Sequence, residues 1–343
     1  MVNRKHLIIG GAGFIGSNLS NHLLKKGESV TIFDNFSRRG TLLNLKWLQS
    51  DYPNVKVVKG DIRFDQKKLE DEIQKADVVY HLAAQLAVTT SMVNPREDFE
   101  INALGTFNVV EAVRTSKNKP ILIYSSTNKV YGQMADIEVV EKASNYEYKD
   151  FPNGISEERP LDFHSPYGCS KGAGDQYVRD YSRIYGLRTI VFRQSCIYGP
   201  RQLGIEDEGW MAWFIIASVL NKPITVFGNG KQIRDVLHVD DLINAFESAI
   251  FNIDKTKGNI YNIGGGPKNT MSLLILIGRL EELLAEKIKY SFSDWRAGDQ
   301  RVFVSDISKA KKDFGWEPKI NKEQGVKSLF LWVKDNKSLF KSL

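Results

Sequence analysis

The chain has 343 residues, of which 42% are hydrophobic and 26% are charged, and its formal net charge is +6. This composition is typical of a globular protein with one large domain or two of ordinary size. Lysines and arginines are spread along the chain, which disfavours a nucleic-acid-binding face, and no apolar run reaches the roughly 18 residues of a membrane span.

Short apolar runs alternate with amphipathic stretches through the first 192 residues. The predicted strands are His6–Ile9, Ser29–Phe33, Val55–Val58, Val78–Leu82, Ile121–Tyr124 and Thr189–Phe192. The predicted helices between them are Phe14–Lys26, Gln66–Lys75, Glu97–Thr115 and Cys169–Tyr185. Strands that are buried on both faces read as continuous apolar runs, as these do. The alternation therefore predicts an α/β fold with a doubly wound parallel Rossmann sheet.

The pattern loosens after Phe192, where glycine turns such as "FGNGKQ" and "NIGGGPKN" become frequent. We therefore predict a dinucleotide-binding Rossmann domain at 1–192 and a smaller mixed α/β substrate lobe at 193–343. Part of 235–255 is expected to pack back on the first domain. The polar insertion 133–164 is either a loop over a site or a surface excursion.

A glycine-rich turn, "GGAGFIG", follows the first strand and places Gly10, Gly13 and Gly16 at equal spacing. Such glycines allow a sharp turn, a close approach of backbone N–H groups to a pyrophosphate, and close packing of helix on strand. The N-terminus of the following helix adds the positive end of a dipole. A purely structural turn is the alternative, but the strand–turn–helix context favours a dinucleotide.

Asp34 stands at the end of the second predicted strand. A carboxylate there can accept hydrogen bonds from both ribose hydroxyls and would repel a 2′-phosphate, so NAD is favoured over NADP. Arg38 and Arg39 follow closely and leave NADP as the alternative.

Tyr167 and Lys171 are four residues apart, so they share one face of a helix. A phenol is a poor base at neutral pH, and we expect the lysine ammonium to favour the phenolate. Such a tyrosine can take a proton from an alcohol while hydride leaves the same carbon. Thr127 follows the fifth strand, whose carboxyl end faces the ligand crevice in this fold class, and it is our candidate donor to the reacting oxygen.

Together these motifs resemble the extended short-chain dehydrogenase/reductase family, whose members act on nucleotide sugars. The resemblance covers nearly the whole chain and includes "GGAGFIG", "GDI", "HLAAQ", "INALGTFNVVEA", "YGCSK", "IYGPRQ" and "IRDVLHVDD". It implies bound NAD and the catalytic residues Thr127, Tyr167 and Lys171. The cofactor-binding set predicted from motifs and resemblance is Gly10, Gly13, Phe14, Ile15, Gly16, Asp34, Asn35, Asp61, Ile62, Leu82, Ala83, Ala84, Asn102, Ser125, Tyr167 and Lys171.

Several stretches, among them "FDNFSRRGTLLNLKWL", "SSTNKVYG" and "GWMAWF", resemble the members that epimerise CDP-linked sugars at C2. Dehydratases of the family carry an acidic pair after the threonine, whereas this chain has Asn128 and Lys129. The UDP-galactose 4-epimerases often carry an asparagine where this chain has Cys196. The resemblance implies an isomerase that oxidises C2 to a ketone and returns hydride to the opposite face. A 4-epimerase or other epimerase of a different CDP- or UDP-hexose, and a non-catalytic NAD-sensing protein, are the alternatives.

The implied substrate is a nucleotide-diphosphate sugar, whose phosphates suit the guanidinium groups of second-lobe turns. The predicted substrate-binding set is Gln85, Asn128, Gln194, Arg201, Arg234, Arg296 and Arg301, with surface charge as the alternative for the arginines. Trp210 and Trp213 either line the nucleotide pocket or pack in the core.

The remaining predictions concern partners and location. We expect no nucleic acid, membrane or metal, and the family resemblance implies a homo-oligomer, dimer or tetramer, paired through two helices. The two cysteines, Cys169 and Cys196, offer no disulfide framework and predict a cytoplasmic protein.

Overall fold

A computed structural model describes residues 3–206, 208–296 and 298–340. Its strands are β1 (Lys5–Ile9), β2 (Ser29–Asp34), β3 (Lys56–Lys59), β4 (Val78–His81), β5 (Ile121–Thr127), β6 (Val139–Glu141), β7 (Tyr146–Tyr148), β8 (Thr189–Gln194), β9 (Cys196–Tyr198), β10 (Ile224–Phe227), β11 (Ile233–His238), β12 (Asn259–Ile263), β13 (Thr270–Ser272), β14 (Tyr290–Ser293) and β15 (Val302–Phe303). Its helices are α1 (Phe14–Lys25), α2 (Thr41–Asp51), α3 (Gln66–Ile73), α4 (Val88–Val93), α5 (Pro95–Phe99), α6 (Gly105–Thr115), α7 (Ser165–Tyr185), α8 (Trp210–Val219), α9 (Val239–Phe251), α10 (Ile253–Thr256), α11 (Leu273–Leu284), α12 (Ser308–Phe314) and α13 (Lys322–Asp335).

The central sheet has seven parallel strands in the order β3-β2-β1-β4-β5-β8-β12. The chain runs outward from β1 to β3 and then returns to place β4 on the other side of β1, so the strand order reverses between β1 and β4. Ligands of such sheets bind outside the carboxyl ends of the strands at this reversal. The predicted doubly wound parallel fold is confirmed.

Both faces of this sheet are buried, which explains the continuous apolar runs. Ile8 and Ile32 pack into a cluster on one face, while Leu7 and Val79 pack into a cluster on the other. Because successive side chains of a strand point to opposite faces, a strand covered on both sides needs apolar residues at every position.

Helix α7 begins at Ser165, four residues before the predicted start at Cys169. Pro166 stands in its first turn, where a missing N–H costs nothing. The earlier start brings Tyr167 into the helix. The predicted helix over Glu97–Thr115 is α5, a π-helical turn at Glu100–Leu104 and α6 in direct succession, and α2 was not predicted.

The second half of the chain contributes to both parts of the molecule. Strand β12 adds the outer strand of the central sheet, and α9 packs its Leu242 and Phe246 into the same core cluster as β1. Helices α8, α11 and α13 enclose a separate cluster that includes Ile215 and Leu276. The division into 1–192 and 193–343 remains a proposal. Strand β8 continues to Gln194 and so crosses the proposed boundary.

The insertion 133–164 forms an antiparallel hairpin, β6–β7, and packs onto the second lobe. Met134 and Ile155 share a hydrophobic cluster with Phe303, and Ile155 also bridges to Ser305. The insertion is thus a packed layer of this lobe. Within the described ranges, no helix combines the length and apolarity required to cross a membrane.

Candidate active site

A cleft of about 420 Å³ opens at the carboxyl ends of β1, β2, β4, β5 and β8. This is the edge of the sheet at which the strand order reverses. The predicted residues that line it are Gly10, Gly13, Phe14, Ile15, Gly16, Asp34, Asn35, Asp61, Ile62, Leu82, Ala83, Ala84, Ser125, Thr127, Tyr167, Lys171, Gln194 and Arg201. Residues far apart in the sequence are therefore brought to one cavity.

The glycine turn forms one wall of the cleft and leaves no room for side chains. Gly10 has a φ of +84°, and a Cβ on it would lie 2.7 Å from the backbone nitrogen of Ala83. A Cβ on Gly16 would lie 2.2 Å from the carbonyl oxygen of Gly10. Helix α1 then begins at Phe14 with no side-chain cap and no acidic residue in its first turn. Its unpaired N–H groups and positive dipole end suit an anion such as a pyrophosphate.

Asp34 lies at the end of β2 with its carboxylate held by backbone amides. It accepts hydrogen bonds from the amides of Ala12, at 3.0 Å, and Phe36, at 2.8 Å. Burial raises the pKa of this carboxyl, although these hydrogen bonds oppose the shift. The nearby Arg38 forms an ion pair with Glu208 across the cleft and is thereby engaged within the protein. This arrangement favours a ribose with free hydroxyls over one that carries a 2′-phosphate.

Asp61 lies close to Asp34, since its carboxylate accepts a hydrogen bond of 2.9 Å from Asn35. Burial opposes its ionisation, but hydrogen bonds from Arg63 and Asn35 outweigh burial and lower its pKa to about 2. Asp61 is therefore an ionised, fixed acceptor.

Thr127, Tyr167 and Lys171 converge on the cleft. Tyr167 stands in the first turn of α7, and its backbone N–H donates to the Ser91 hydroxyl at 3.2 Å. Its side chain and that of Thr127 line the same cleft. One turn later, Lys171 donates from Nζ to the Ser125 carbonyl oxygen at 2.6 Å. The Tyr–Lys spacing and the end of β5 thus place a phenol, a hydroxyl and an amine together.

The protonation of this group differs from the sequence-based expectation. Burial raises the pKa of Tyr167 to about 12, against a smaller lowering by Thr127. Burial also lowers the pKa of Lys171 to about 7, partly opposed by Asp175 and Asp98. Burial dominates both shifts, so the phenol of the protein alone stays protonated at neutral pH and Lys171 does not lower its pKa below the ordinary value.

The small residues of α7 allow close packing against β5 and its surroundings. A Cβ on Gly174 would lie 2.5 Å from the Tyr124 hydroxyl, and one on Gly172 would lie 2.3 Å from the Phe163 ring. The glycines therefore hold the helix that carries Tyr167 against the strand that carries Thr127.

A buried ion pair joins α7 to the central sheet. Arg193 donates two hydrogen bonds of 2.9 Å to Asp175, and the two side chains are 2% and 0% exposed. Asp175 also accepts a hydrogen bond of 2.7 Å from Ser126, and Arg193 donates to Tyr131. The pair ties α7 to β5 and β8 within one helical turn of Lys171 and one residue of Thr127.

A second cavity of about 240 Å³ adjoins the first and shares Leu86, Cys196, Gly209 and Trp210 with it. It contains the predicted substrate residues Asn128, Arg234 and Arg296. Trp210 faces both cavities and donates from Nε1 to the Cys196 sulfur, whereas Trp213 packs against the core of the second lobe.

Four other predicted residues have different surroundings. Asn102 lines neither cavity. Its side-chain oxygen accepts from the Gln85 backbone N–H, and its side-chain nitrogen donates to the Gln85 carbonyl oxygen, Asp98 and Ser170. Gln85 and Arg301 also lie outside both linings, and Arg301 stacks on a tyrosine ring. Arg201 lines the first cleft with its guanidinium 4.2 Å from the centre of the Trp47 ring.

Sequence reasoning missed the Arg38–Glu208 pair as a contact across the cleft. The two residues are separated by 170 positions, and neither belongs to a motif that would indicate the partner. It also treated Lys129 only as a missing carboxylate, although this side chain lines the second cavity.

Comparisons with known proteins give similarities over nearly the whole chain. The family model described as GDP-mannose 4,6 dehydratase matches residues 7–329. CDP-paratose 2-epimerase of Salmonella typhi is 47% identical over 336 residues, which cover 96% of this chain and 99% of that protein. The Thermotoga maritima UDP-glucose 4-epimerase structure with UDP-glucose has a TM-score of 0.82 at 28% identity and covers 97% of this chain and 99% of its own. The Bacillus cereus UDP-glucuronic acid 4-epimerase structure, in complex with UDP-glucuronic acid and NAD, has a TM-score of 0.82 at 29% identity. The match covers 96% of this chain and 99% of that one.

Proposed function

The chain belongs to the GDP-mannose 4,6-dehydratase family, and from that premise we propose that it is an NAD-dependent isomerase that interconverts CDP-paratose and CDP-tyvelose. The observation that carries this proposal is the 47% identity to a CDP-paratose 2-epimerase over 96% of the chain. The convergence of Thr127, Tyr167 and Lys171 on the cleft supports it independently.

The first cleft fits NAD. Its glycine wall leaves no room for a Cβ, and the uncapped start of α1 suits the pyrophosphate. We assign the ribose hydroxyls to Asp34 and the adenine surroundings to Asp61 and Ile62. NAD held by these residues would supply the acceptor for the C2 hydride of the sugar and the donor of hydride to the opposite face of the 2-keto sugar.

The reaction requires a base and a hydrogen-bond donor at one hydroxyl. Tyr167 takes the proton of the C2 hydroxyl and returns it at the end, while Thr127 hydrogen-bonds the oxygen throughout. Lys171, one helical turn away, holds the ribose of the cofactor and, when protonated, adds positive charge beside the phenol. Gln194 pairs with Thr127 in the β5–β8 register, and its buried Nε2 lacks a partner in the described part of the chain. We assign that amide to a sugar hydroxyl.

Oxidation at C2 follows from the chemistry of the sugar. The C2 hydrogen is not acidic, because no carbonyl stands beside it. A ketone at C4 would acidify the hydrogens at C3 and C5 and leave C2 unchanged. Removal of hydride from C2 itself is therefore the direct route to inversion there.

The nucleotide end of the substrate is assigned to the second cavity. Arg234 and Arg296 both line it, and guanidinium groups bind phosphate oxygens with good geometry. Arg201 remains a proposed substrate residue at the wall of the first cleft, and Asn128 lines the cavity that holds the two arginines. Gln85 and Arg301 act indirectly in this proposal, since neither lines a cavity.

The proposed reaction is tested by turnover of CDP-paratose in deuterium oxide. We expect CDP-tyvelose without solvent deuterium at C2, because hydride leaves and returns on the cofactor. UDP-glucose, offered in parallel, should give no UDP-galactose. Deuterium at C2 would contradict the hydride route, and UDP-galactose as the main product would favour the 4-epimerase alternative.

Gly16→Ala is expected to abolish NAD binding, because the new Cβ would meet the Gly10 carbonyl oxygen at 2.2 Å. Gly278→Ala is the matched control, since a Cβ there has nothing within 4 Å. Native mass spectrometry of both variants and the wild type measures the NAD content. Full NAD occupancy in the Gly16→Ala variant would contradict the assignment of this turn.

We also propose that the protein is a cytoplasmic homo-oligomer. Helices α6 and α7 expose Phe107, Tyr177, Ile184 and Tyr185 on their outer faces, as an apolar surface between subunits would. Both cysteines are free thiols, which fits a reducing compartment. The wild-type native mass spectrum reports the subunit number: a dimer or tetramer supports the proposal and a monomer contradicts it.

A further inference from the structure

Lys129 occupies a fixed position between the catalytic group and the second cavity. It belongs to the 3₁₀ turn Asn128–Tyr131, directly after β5. Its backbone N–H donates to the Thr127 hydroxyl oxygen at 3.2 Å, and its carbonyl oxygen accepts from Gly132 at 3.2 Å. The main chain of Lys129 is therefore anchored, and its side chain extends into the second cavity.

The ammonium of Lys129 is underused within the protein. In the described part of the chain, Nζ contacts the Gly298 carbonyl oxygen at 3.4 Å and forms no ion pair. The adjacent Arg234 is paired with Asp299 at 2.6 Å, so that carboxylate is already occupied. An ammonium has three donors, and at least two of those of Lys129 remain available to a ligand.

The charges around Lys129 favour an anion. Arg234 comes from β11 and Asp299 from the segment after β14, while Cys196 on β9 is a thiol whose pKa is raised by burial. Arg296 and the exposed Glu206 complete the charged lining of the cavity. Burial, followed by repulsion from Arg234, lowers the pKa of Lys129 to about 8. A bound anion would offset both the burial of the Lys129 ammonium and its repulsion from Arg234.

We propose that the Lys129 ammonium, together with the Arg234 guanidinium, binds the diphosphate of the substrate, an inference that rests on the proposed function. Lys129 then has a role in substrate binding, whereas in the sequence it stood out only as the absence of a carboxylate. It also makes substrate binding sensitive to pH. The free protein loses the Lys129 proton as the pH rises through about 8, so affinity for the diphosphate declines above that pH.

The test is the Kd of CDP for the NAD-loaded protein, measured by titration calorimetry at pH 7.0 and pH 9.5. Lys129→Met should weaken CDP binding by ~10- to 100-fold at the lower pH, the usual contribution of a hydrogen bond to a charged group. Its remaining affinity should change little with pH. Lys129→Arg, which stays protonated, should bind CDP equally well at both values, whereas the wild type weakens at pH 9.5.

Controls separate this inference from a general defect. Lys67→Met removes a lysine that is 82% exposed on α3 and should leave CDP binding unchanged. The NAD content of every Lys129 variant should equal that of the wild type, because Lys129 lines only the second cavity. Should Lys129→Met not fold, the pH response of Lys129→Arg decides alone.

Two outcomes overturn the inference, and they are distinguishable. The first is an NAD-loaded Lys129→Met protein that binds CDP as tightly as the wild type, while the wild type still epimerises CDP-paratose. This result contradicts the role of Lys129 and leaves the proposed function intact. Failure of the wild type to bind either CDP or UDP overturns both.

Discussion

Tyr167→Phe is expected to lower the kcat for CDP-paratose by ~10²- to 10⁴-fold, the usual contribution of a positioned acid–base group. The phenol is the proposed carrier of the C2 hydroxyl proton, and it is buried beside Thr127, where solvent does not replace it easily. Phenylalanine keeps the ring and its packing, so the NAD content and the melting temperature should stay close to those of the wild type. Product formation, NAD content and thermal unfolding measure the three properties.

Tyr177→Phe is the matched control for this variant, because Tyr177 lies on the same helix and is 48% exposed. Its kcat should equal that of the wild type. Retention of kcat within a few-fold in Tyr167→Phe would remove the proposed base. If all biological activity also survived, the non-catalytic NAD-binding alternative would be favoured.

Asp175→Asn is expected to lower the free energy of unfolding by ~3–5 kcal/mol, the range for breaking a buried ion pair. The variant leaves the Arg193 guanidinium, 2% exposed, without its bidentate carboxylate. The Ser126 hydroxyl loses its charged acceptor as well. Because this pair joins α7 to β5 and β8 within one helical turn of Lys171, kcat should also fall. Urea unfolding followed by circular dichroism measures the stability.

Asp180→Asn, at an exposed position of the same helix, should change stability by no more than ~0.5 kcal/mol. Arg193→Met and the double variant complete a cycle. We expect the double variant to be much less destabilised than the sum of the two single variants, because each single change already breaks the pair. A loss below ~1 kcal/mol in Asp175→Asn, or additive effects, would show that the pair contributes little.

The difference at Tyr167 and Lys171 illustrates the limit of motif reasoning. The spacing of four residues correctly placed both side chains on one helical face, since helical geometry is local. Their protonation depends on desolvation by residues from β5, α4 and α6, which no local pattern reports. Burial raises the pKa of the phenol and lowers that of the amine, and neither group is among the main causes of the other's shift.

The lining of the second cavity also combines residues that the sequence indicated with residues that only the tertiary structure places there. The sequence placed three arginines in glycine turns of the second lobe. Arg234 in fact lies on β11 and Arg296 in the segment after β14, and both line the cavity. Arg301 instead stacks on Tyr146 at 5.6 Å. Lys129 enters this cavity because a 3₁₀ turn follows β5. A turn of this kind has no distinctive sequence signal, and the partners of each cation come from distant segments.

The amino-acid sequence by itself determined the parallel sheet, the glycine turn, the position of Asp34 and the Tyr–Lys face, and its resemblance to the extended short-chain dehydrogenase/reductases is confirmed. These features depend on periodicity, on steric freedom at single residues and on side chains a helical turn apart, all of which are encoded locally. The tertiary structure alone decided which side chains share a cavity, which cations are already paired and which acids and bases are desolvated. Those properties arise from contacts between residues that are far apart in the chain, such as Arg38 with Glu208 and Arg193 with Asp175.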